Sequence, residues 1–187
     1  MMRFLVIAAA VVAGPVSAAE SVYQPLREAD CPRVASDEVG ATFFCHGPDG
    51  TPFLVAEGDA RMSVTFGGVG AGSRVAFQSF GSFNSLGEKI EWRMEDGVPV
   101  ATILRWLLEA GESGGEGQVL VVSKAGEGNS PGCIAAYVDA LANPDANELA
   151  REAAERIAPN VDCEIHIPFY YGIRGPNSGE PMLSPRE

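Results

Sequence analysis

A glycine-rich loop is the first stretch of this sequence whose residues could do chemistry. Gly126, Gly128 and Gly132 follow the apolar run VLVVSK and precede IAAYVDAL, which has helical spacing. A strand, a glycine loop and a helix form the phosphate cradle of nucleotide-binding folds. Glu127 would repel a pyrophosphate, and Pro131 has no amide hydrogen to donate. The preceding hairpin pattern also lacks βαβ units. We therefore interpret the loop as a turn and predict no bound cofactor.

Two histidines are available for hydrolytic chemistry. His46 follows a cysteine, and His166 lies in a short apolar run. A catalytic triad needs a histidine beside a nucleophile and an orienting carboxylate, and the cysteines, as possible nucleophiles, are expected to be paired in disulfides. Two acidic pairs have a spacing compatible with glycoside cleavage: Glu57 with Asp59, and Glu91 with Glu95. Carboxylate pairs are common in a chain with 25 acidic residues, so we predict no catalytic residue.

Both tryptophans lie in one predicted hairpin, EKIEWRMEDGVPVATILRWLLE, together with two arginines. Tryptophan and arginine are enriched where proteins bind partners. The sequence therefore suggests an interaction surface on the exposed side of this hairpin, formed by Glu91, Arg93, Arg105 and Trp106. The alternative is that the hairpin tryptophan at 92 is a core residue and that Arg93 pairs with Glu91 or Glu95 along its strand.

The four cysteines favour disulfides over a metal site. A zinc site needs closely spaced ligand pairs such as C-x-x-C, which this sequence lacks. An exported chain with an even number of cysteines is normally disulfide-bonded. Sequence alone leaves three pairings open. We favour Cys31 with Cys45 and Cys133 with Cys163, because each bond then closes a local loop and stabilises the fold by roughly 3–4 kcal/mol.

The N-terminal residues have the layout of a secretory signal peptide. A positive start is followed by the apolar run FLVIAAAVVAG, and Val16-Ser17-Ala18 supplies the small residues that signal peptidase reads. The apolar run is too short to cross a bilayer, which needs about 20 residues. We therefore expect residues 1–18 to be removed after Ala18, and the mature chain to be periplasmic or secreted without a membrane anchor.

The charge balance excludes other partners. The chain has 25 acidic and 13 basic residues and a net charge of −12. Such an acidic surface repels nucleic acid backbones and anionic lipid head groups at long range. Nucleic acid and membrane surfaces are therefore poor partners for it.

Short apolar runs divided by turn residues predict an antiparallel sheet. Residues 19–40, with two prolines, are expected to be an irregular lead-in. ATFFCH, TPFLVAE and RMSVTF then read as successive strands. Asp96-Gly97 suits a two-residue turn and would place Trp92 opposite Ala101. GQVLVVSK adds a third strand, which makes an antiparallel meander.

The C-terminal third changes from strand to helical spacing. Ile134, Ala135 and Val138 fall on one helical face, and a second helix begins near Asn143-Pro144-Asp145. CEIHIPFYYG reads as a short final strand. We expect an α+β fold of one exported domain, residues 19–171, in which two C-terminal helices cover an antiparallel sheet that is a meander, a partial barrel or a sandwich. Residues 172–187 are expected to be a disordered tail.

The sequence also resembles a family of small exported bacterial proteins with no assigned activity. FFCHGPDG, IEWRMEDGVPVATILRW, GQVLVVSK and CIAAYVDALANPDANELAREAAERIA carry the resemblance, which spans nearly the whole mature chain. It implies export and paired cysteines but transfers no catalytic residue. The F-x-C-x-G-x-x-G turn is similar, over about 25 residues, to the C-type lysozyme inhibitors, which are small exported β-barrels.

The function that these features favour is non-enzymatic. We expect a disulfide-stabilised module that binds a protein or a glycan of the cell envelope. The alternatives are a periplasmic hydrolase that uses His46 or His166 and a protein similar to the lysozyme inhibitors.

Overall fold

The computed structural model describes residues 19–70, 72, 78–109 and 114–183. Strands and one α-helix account for most of this part of the chain. They are β1 (Glu20–Pro25), β2 (Arg33–Ser36), β3 (Gly40–His46), β4 (Pro52–Gly58), β5 (Arg61–Phe66), β6 (Gln78–Phe80), β7 (Asn84–Glu95), β8 (Val98–Leu108), β9 (Gly117–Lys124), β10 (Cys133–Asp139), α1 (Ala146–Arg156), β11 (Phe169–Tyr170) and β12 (Pro181–Leu183).

Six of the strands form a central sheet in the order β1-β7-β8-β9-β10-β11. Neighbouring strands in it are antiparallel except for β10 and β11, which are parallel. The meander of β7, β8 and β9 is therefore confirmed. A second, antiparallel sheet has the order β2-β3-β4-β5, and β6 pairs with β12.

The central sheet is covered on both faces. On one face Trp92 contacts the rings of Phe53 and Phe66, which belong to the second sheet. On the other face Ala101 and Ile103 pack in the cluster that contains the small apolar side chains of α1. The structure is thus mostly antiparallel β-sheet with one helix, as an α+β fold requires. Of the two predicted C-terminal helices, the described residues contain only the second, which is α1.

Residues 133–139 form strand β10 where the sequence predicts the first of two helices. All seven residues of β10 are buried. A strand buried on both faces has no polar side to reveal its period of two. The spacing of Ile134, Ala135 and Val138 consequently resembled a helical stripe, and the helix prediction was wrong.

The tight turn between β7 and β8 is confirmed, because both residues of Asp96-Gly97 have positive φ, at 49° and 81°. The pairing beyond it differs by one residue from the prediction. Trp92 lies opposite Thr102 instead of Ala101. The ladder shifts close to the turn, where Val100 is an extra residue in β8. Such a β-bulge changes the register of all the pairs that follow it.

The expectations for the two ends of the domain are wrong for the described residues. The lead-in contains β1, an edge strand paired with β7, and β2, which pairs with β3. Pro25 is tolerated because it lies at the end of an edge strand. The expected disordered tail is also structured: β12 pairs with β6, and Ser178 is only 1% exposed.

Candidate binding surface

Three of the four residues expected to form an interaction surface lie inside the protein. Glu91 and Arg93 are 8% and 5% exposed, Trp106 is 1% exposed, and Arg105 is half-buried. Consecutive residues of a strand point to opposite faces of the sheet. Trp106 accordingly packs on Phe80 of β6 in the core cluster that also contains Trp92, whereas Arg105 points to the other face. The expected exposure of this set is therefore wrong for every member except Arg105.

Glu91 instead attaches α1 to the central sheet. Its Oε1 accepts hydrogen bonds from Arg151 Nε at 2.7 Å and from Ser21 Oγ at 2.6 Å. Burial alone would raise the pKa of Glu91, but the hydrogen bonds from Arg151 and Ser21 and the charges of Arg151 and Arg93 outweigh burial and lower it. The hydrogen bond to Glu91 in turn raises the pKa of Arg151. Glu91 is therefore held as a buried carboxylate.

Arg93 extends this network to the helix and to the first strand. Its guanidinium donates to Glu155 of α1, to Ser21 Oγ and, at 2.7 Å, to the carbonyl oxygen of Ala19. Glu91 lies 3.5 Å from the same guanidinium. The carboxylates of Glu91 and Glu155 thus neutralise the guanidinium groups of Arg93 and Arg151. The role of this network is to hold α1 and β1 on the central sheet.

Neither histidine is placed as a catalytic base by its contacts. The ring of His46 packs against the ring of Phe44 at the end of β3. His166 Nε2 lies 2.7 Å from the carbonyl oxygen of Ala135, so it donates its hydrogen there. Among the described residues, the recorded contacts of the two imidazoles include no carboxylate and no serine.

The glycine loop joins two strands and uses its amides within the protein. The amides of Gly126 and Gly132 both donate to the carbonyl oxygen of Phe66, at 2.8 and 3.0 Å. A Cβ on Gly68 would collide with the main chain of Ser130. These glycines allow the connection after β5 to touch the turn between β9 and β10. Two amides that a phosphate cradle would require are therefore already occupied.

The described residues carry one surface that sequence reasoning missed. The exposed fractions of four large apolar side chains here are 79% for Ile165, 75% for Ile167, 47% for Phe169 and 64% for Ile173. We call these four residues the C-terminal apolar surface. Between the first three, the side chains of His166 and Pro168 turn inward. Apolar residues that are this exposed on one short segment mark an interaction site more often than scattered ones do.

The segment that carries this surface is fastened to the domain at several points. Cys163, next to it, forms a disulfide with Cys133 at the start of β10. Asn143 donates to the carbonyl oxygen of Ile173 and accepts from its amide, at 2.8 and 2.9 Å. Burial raises the pKa of Tyr170 to about 12, and its hydroxyl donates to the carbonyl oxygens of residues 178 and 179. The exposed side chains are therefore presented by a fixed backbone.

The second disulfide fastens the opposite part of the domain. Cys31 and Cys45 are bonded, which ties the segment before β2 to strand β3. The favoured pairing of the four cysteines is thus confirmed, and none of the four is free.

A shallow cavity of about 620 Å³ adjoins the C-terminal apolar surface. It lies between this segment and the end of α1 and has a mostly apolar lining. Its lining residues are Arg156, Ile157, Asn160, Val161, Asp162, Ile165, His166 and Ile167. A partner that covers the surface could place a side chain in this depression.

The sequence contained a signal for this surface, but it did not show whether the apolar side of the segment faces the core or the solvent. CEIHIPFYYG alternates, with isoleucine and phenylalanine at positions 165, 167 and 169. An alternating strand normally turns its apolar side to the core. Here His166 and Pro168 turn inward, and the imidazole of His166 donates to the carbonyl oxygen of Ala135 in β10, just before the residues that pair with β11. That contact depends on the folded sheet, so the sequence alone could not supply it.

The described residues contain neither a metal-binding cluster nor a membrane-spanning helix. In the part of the chain that the structure describes, no three His, Cys, Asp or Glu side chains converge to hold a metal ion. The described α-helix is too short and too polar to span a bilayer, and no other helix there qualifies. Comparison with protein-family models, curated proteins and solved structures finds no match for this chain.

Proposed function

We propose that this protein is an exported, non-enzymatic binding module of the cell envelope, and that a protein partner docks on the C-terminal apolar surface. The observation that carries the proposal is the exposure of Ile165, Ile167, Phe169 and Ile173 on a fastened backbone. Burial of these side chains by a partner would release the water that they now order, which favours association.

The chemistry of the surface favours a protein over a glycan. Sugar rings are usually held by polar groups and flat aromatic rings, whereas three of these four side chains are isoleucines. A preformed backbone also lowers the entropic cost of binding. Because the described contacts of His46 and His166 pair them with an aromatic ring and a carbonyl oxygen, the binding role is favoured over the hydrolase.

Export is part of the same proposal. Residues 1–18 would act as the signal peptide, with cleavage after Ala18, and the mature protein would reach the periplasm or the medium. The two disulfides support an oxidising compartment, since such bonds rarely persist in the cytosol.

Site-specific photo-crosslinking in living cells would test the docking surface. A photoreactive phenylalanine analogue replaces Ile167 in one variant and Val98 in a control variant. Val98 is a suitable control because it is also apolar and exposed, at 57%, but lies at the β7–β8 turn. We expect a crosslinked adduct from position 167 and none from position 98.

A second substitution shows whether the adduct depends on the apolar contact. Ile165→Ser in the position-167 crosslinking variant should remove most of the adduct. It should change the free energy of unfolding by less than about 0.5 kcal/mol, because an exposed side chain contributes little to stability. Equal adducts from positions 167 and 98, or no adduct from either, would contradict the proposal.

A further inference from the structure

The charges beside the C-terminal apolar surface identify the kind of partner that it fits. Asp162 and Glu164 precede it in the same exposed turn. The neighbouring start of α1 adds Asp145 and Glu148, which are also exposed. In the described ranges, none of these four carboxylates takes part in a recorded ion pair.

The helix residues lie close to the surface because the segment crosses the first turns of α1. A Cβ placed on Gly172 would contact Leu149 and the side chain of Asn143. Glu152, one turn further along, lies beside the hydroxyl of Tyr171. The start of the helix and the segment from 169 to 173 therefore form one continuous surface.

Two of the cations in this region are already neutralised, and a third, Lys124, donates to the carbonyl oxygens of Pro159 and Val161 beside Asp162. Arg156 pairs with Glu152 at 2.8 Å. Arg174 pairs with Glu180 and lies over the ring of Tyr170. The uncompensated charge around the apolar residues is consequently negative, in a chain whose net charge is −12.

We infer that the partner presents apolar side chains flanked by lysine or arginine: a cationic, amphipathic protein segment. This inference rests on the proposed function and adds the charge of the partner to it. Charge complementarity steers association and suppresses wrong partners. A second copy of this chain would bring the same four carboxylates together, and an anionic membrane would repel them, so the charges disfavour both occupants.

Fluorescence anisotropy with labelled peptides tests the charge directly. Three short probes are compared with the oxidised protein: alternating leucine and lysine, alternating leucine and glutamate, and alternating serine and lysine. We expect the leucine–lysine peptide to bind most tightly. Its affinity should fall several-fold when salt is raised from about 0.05 M to about 0.3 M, because screening shortens the reach of surface charges.

Charge reversal locates the effect on the protein. The double variant Glu148→Lys, Glu164→Lys should weaken binding of the leucine–lysine peptide roughly five- to tenfold at low salt. The matched control is Glu38→Lys with Glu95→Lys, which reverses two exposed carboxylates that are distant in sequence from this surface. It carries the same net charge and should change the affinity less than about twofold.

Three outcomes would overturn the inference. The first is that the leucine–lysine peptide does not bind, or that the leucine–glutamate peptide binds as tightly. The second is an equal loss in the two charge-reversal variants, which would indicate attraction to the net charge alone. The third is a dimer, seen by analytical ultracentrifugation, that Ile165→Ser dissociates. The in-cell crosslink to position 167 tests the docking surface separately. If the crosslink forms but the leucine–lysine peptide does not bind, only the inference that the partner is cationic is rejected.

Discussion

Replacement of Glu91 by glutamine should destabilise the domain, because the carboxylate joins the central sheet to α1. Glutamine keeps the size of the side chain and one acceptor oxygen. It loses the negative charge that faces Arg151 at 2.7 Å and Arg93 at 3.5 Å. The group of two carboxylates and two guanidiniums would then carry one uncompensated positive charge.

The magnitude follows from the burial of each partner. Hydrogen bonds to charged groups contribute about 1.5–3 kcal/mol each, and breaking a buried ion pair costs about 3–5 kcal/mol. The Arg151 side chain is 35% exposed, so water can replace part of what it loses. We therefore expect Glu91→Gln to lower the free energy of unfolding by about 2–4 kcal/mol.

Urea denaturation with intact disulfides is the assay, followed by the fluorescence of the two buried tryptophans, Trp92 and Trp106. Glu95→Gln is the matched control. It lies on the same strand, is exposed, and has no recorded ion pair among the described residues. It should change stability by less than about 0.5 kcal/mol. An effect of Glu91→Gln no larger than that of the control would refute a stabilising role for the network.

The pH dependence gives a second check on the same residue. The folded-state pKa of Glu91 is lowered, so its contribution is complete above the unfolded-state value of about 4.3 and is lost as the pH falls through the folded-state value. The gap in stability between wild type and Glu91→Gln should therefore be constant near neutral pH and narrow below about pH 4. A gap that stays constant down to pH 3 would mean that the lowered pKa is not its cause.

Two further substitutions test the backbone and the covalent framework. Gly68→Ala should lower the free energy of unfolding by more than about 2 kcal/mol, because residue 68 has a positive φ and the new Cβ would collide with the main chain of Ser130. Gly50 also has a positive φ but faces open space, so Gly50→Ala should cost only about 1 kcal/mol. Similar urea midpoints for the two variants would contradict this reasoning. Replacing Cys133 and Cys163 together by serine should lower the free energy of unfolding by roughly 3–4 kcal/mol. It should also expose the segment that follows Cys163 to proteolysis. An unchanged digestion pattern would show that the disulfide does not fasten this segment.

Local turn chemistry and disulfide spacing were predictable from the sequence. Asp96-Gly97 takes the tight turn because glycine accepts positive φ at little cost and aspartate tolerates it. The helix after Asn143-Pro144-Asp145 also occurs, and its Glu152 and Arg156 form an ion pair one turn apart. These features depend on neighbours within a few residues, which a sequence displays directly.

Features that depend on distant contacts could not be predicted in the same way. The bulge at Val100 shifts the register, although no residue type marks it. Strand β10 is covered by α1 on one face and by the aromatic core on the other. All of its residues are therefore buried, and its sequence does not show the alternation of apolar and polar residues that marks a strand. Arg105 and Trp106 were grouped by their chemistry, although adjacent strand positions must face opposite sides of the sheet.

The most informative discrepancy concerns the roles of charged and apolar residues. The sequence suggested an interaction surface built on arginine and tryptophan, whereas the structure buries Arg93 and Trp106 and exposes isoleucines of the expected final strand. Arg93 is buried and holds α1, whereas Ile167 is 75% exposed on a fastened segment. Two kinds of variant should therefore separate cleanly. Glu91→Gln should lower stability and leave the affinity of the folded protein for the leucine–lysine peptide unchanged, whereas Ile167→Ser should lower that affinity at constant stability. If both variants lowered both quantities in proportion, the C-terminal apolar surface would be part of the folded core's support, and its proposed role in binding would be wrong.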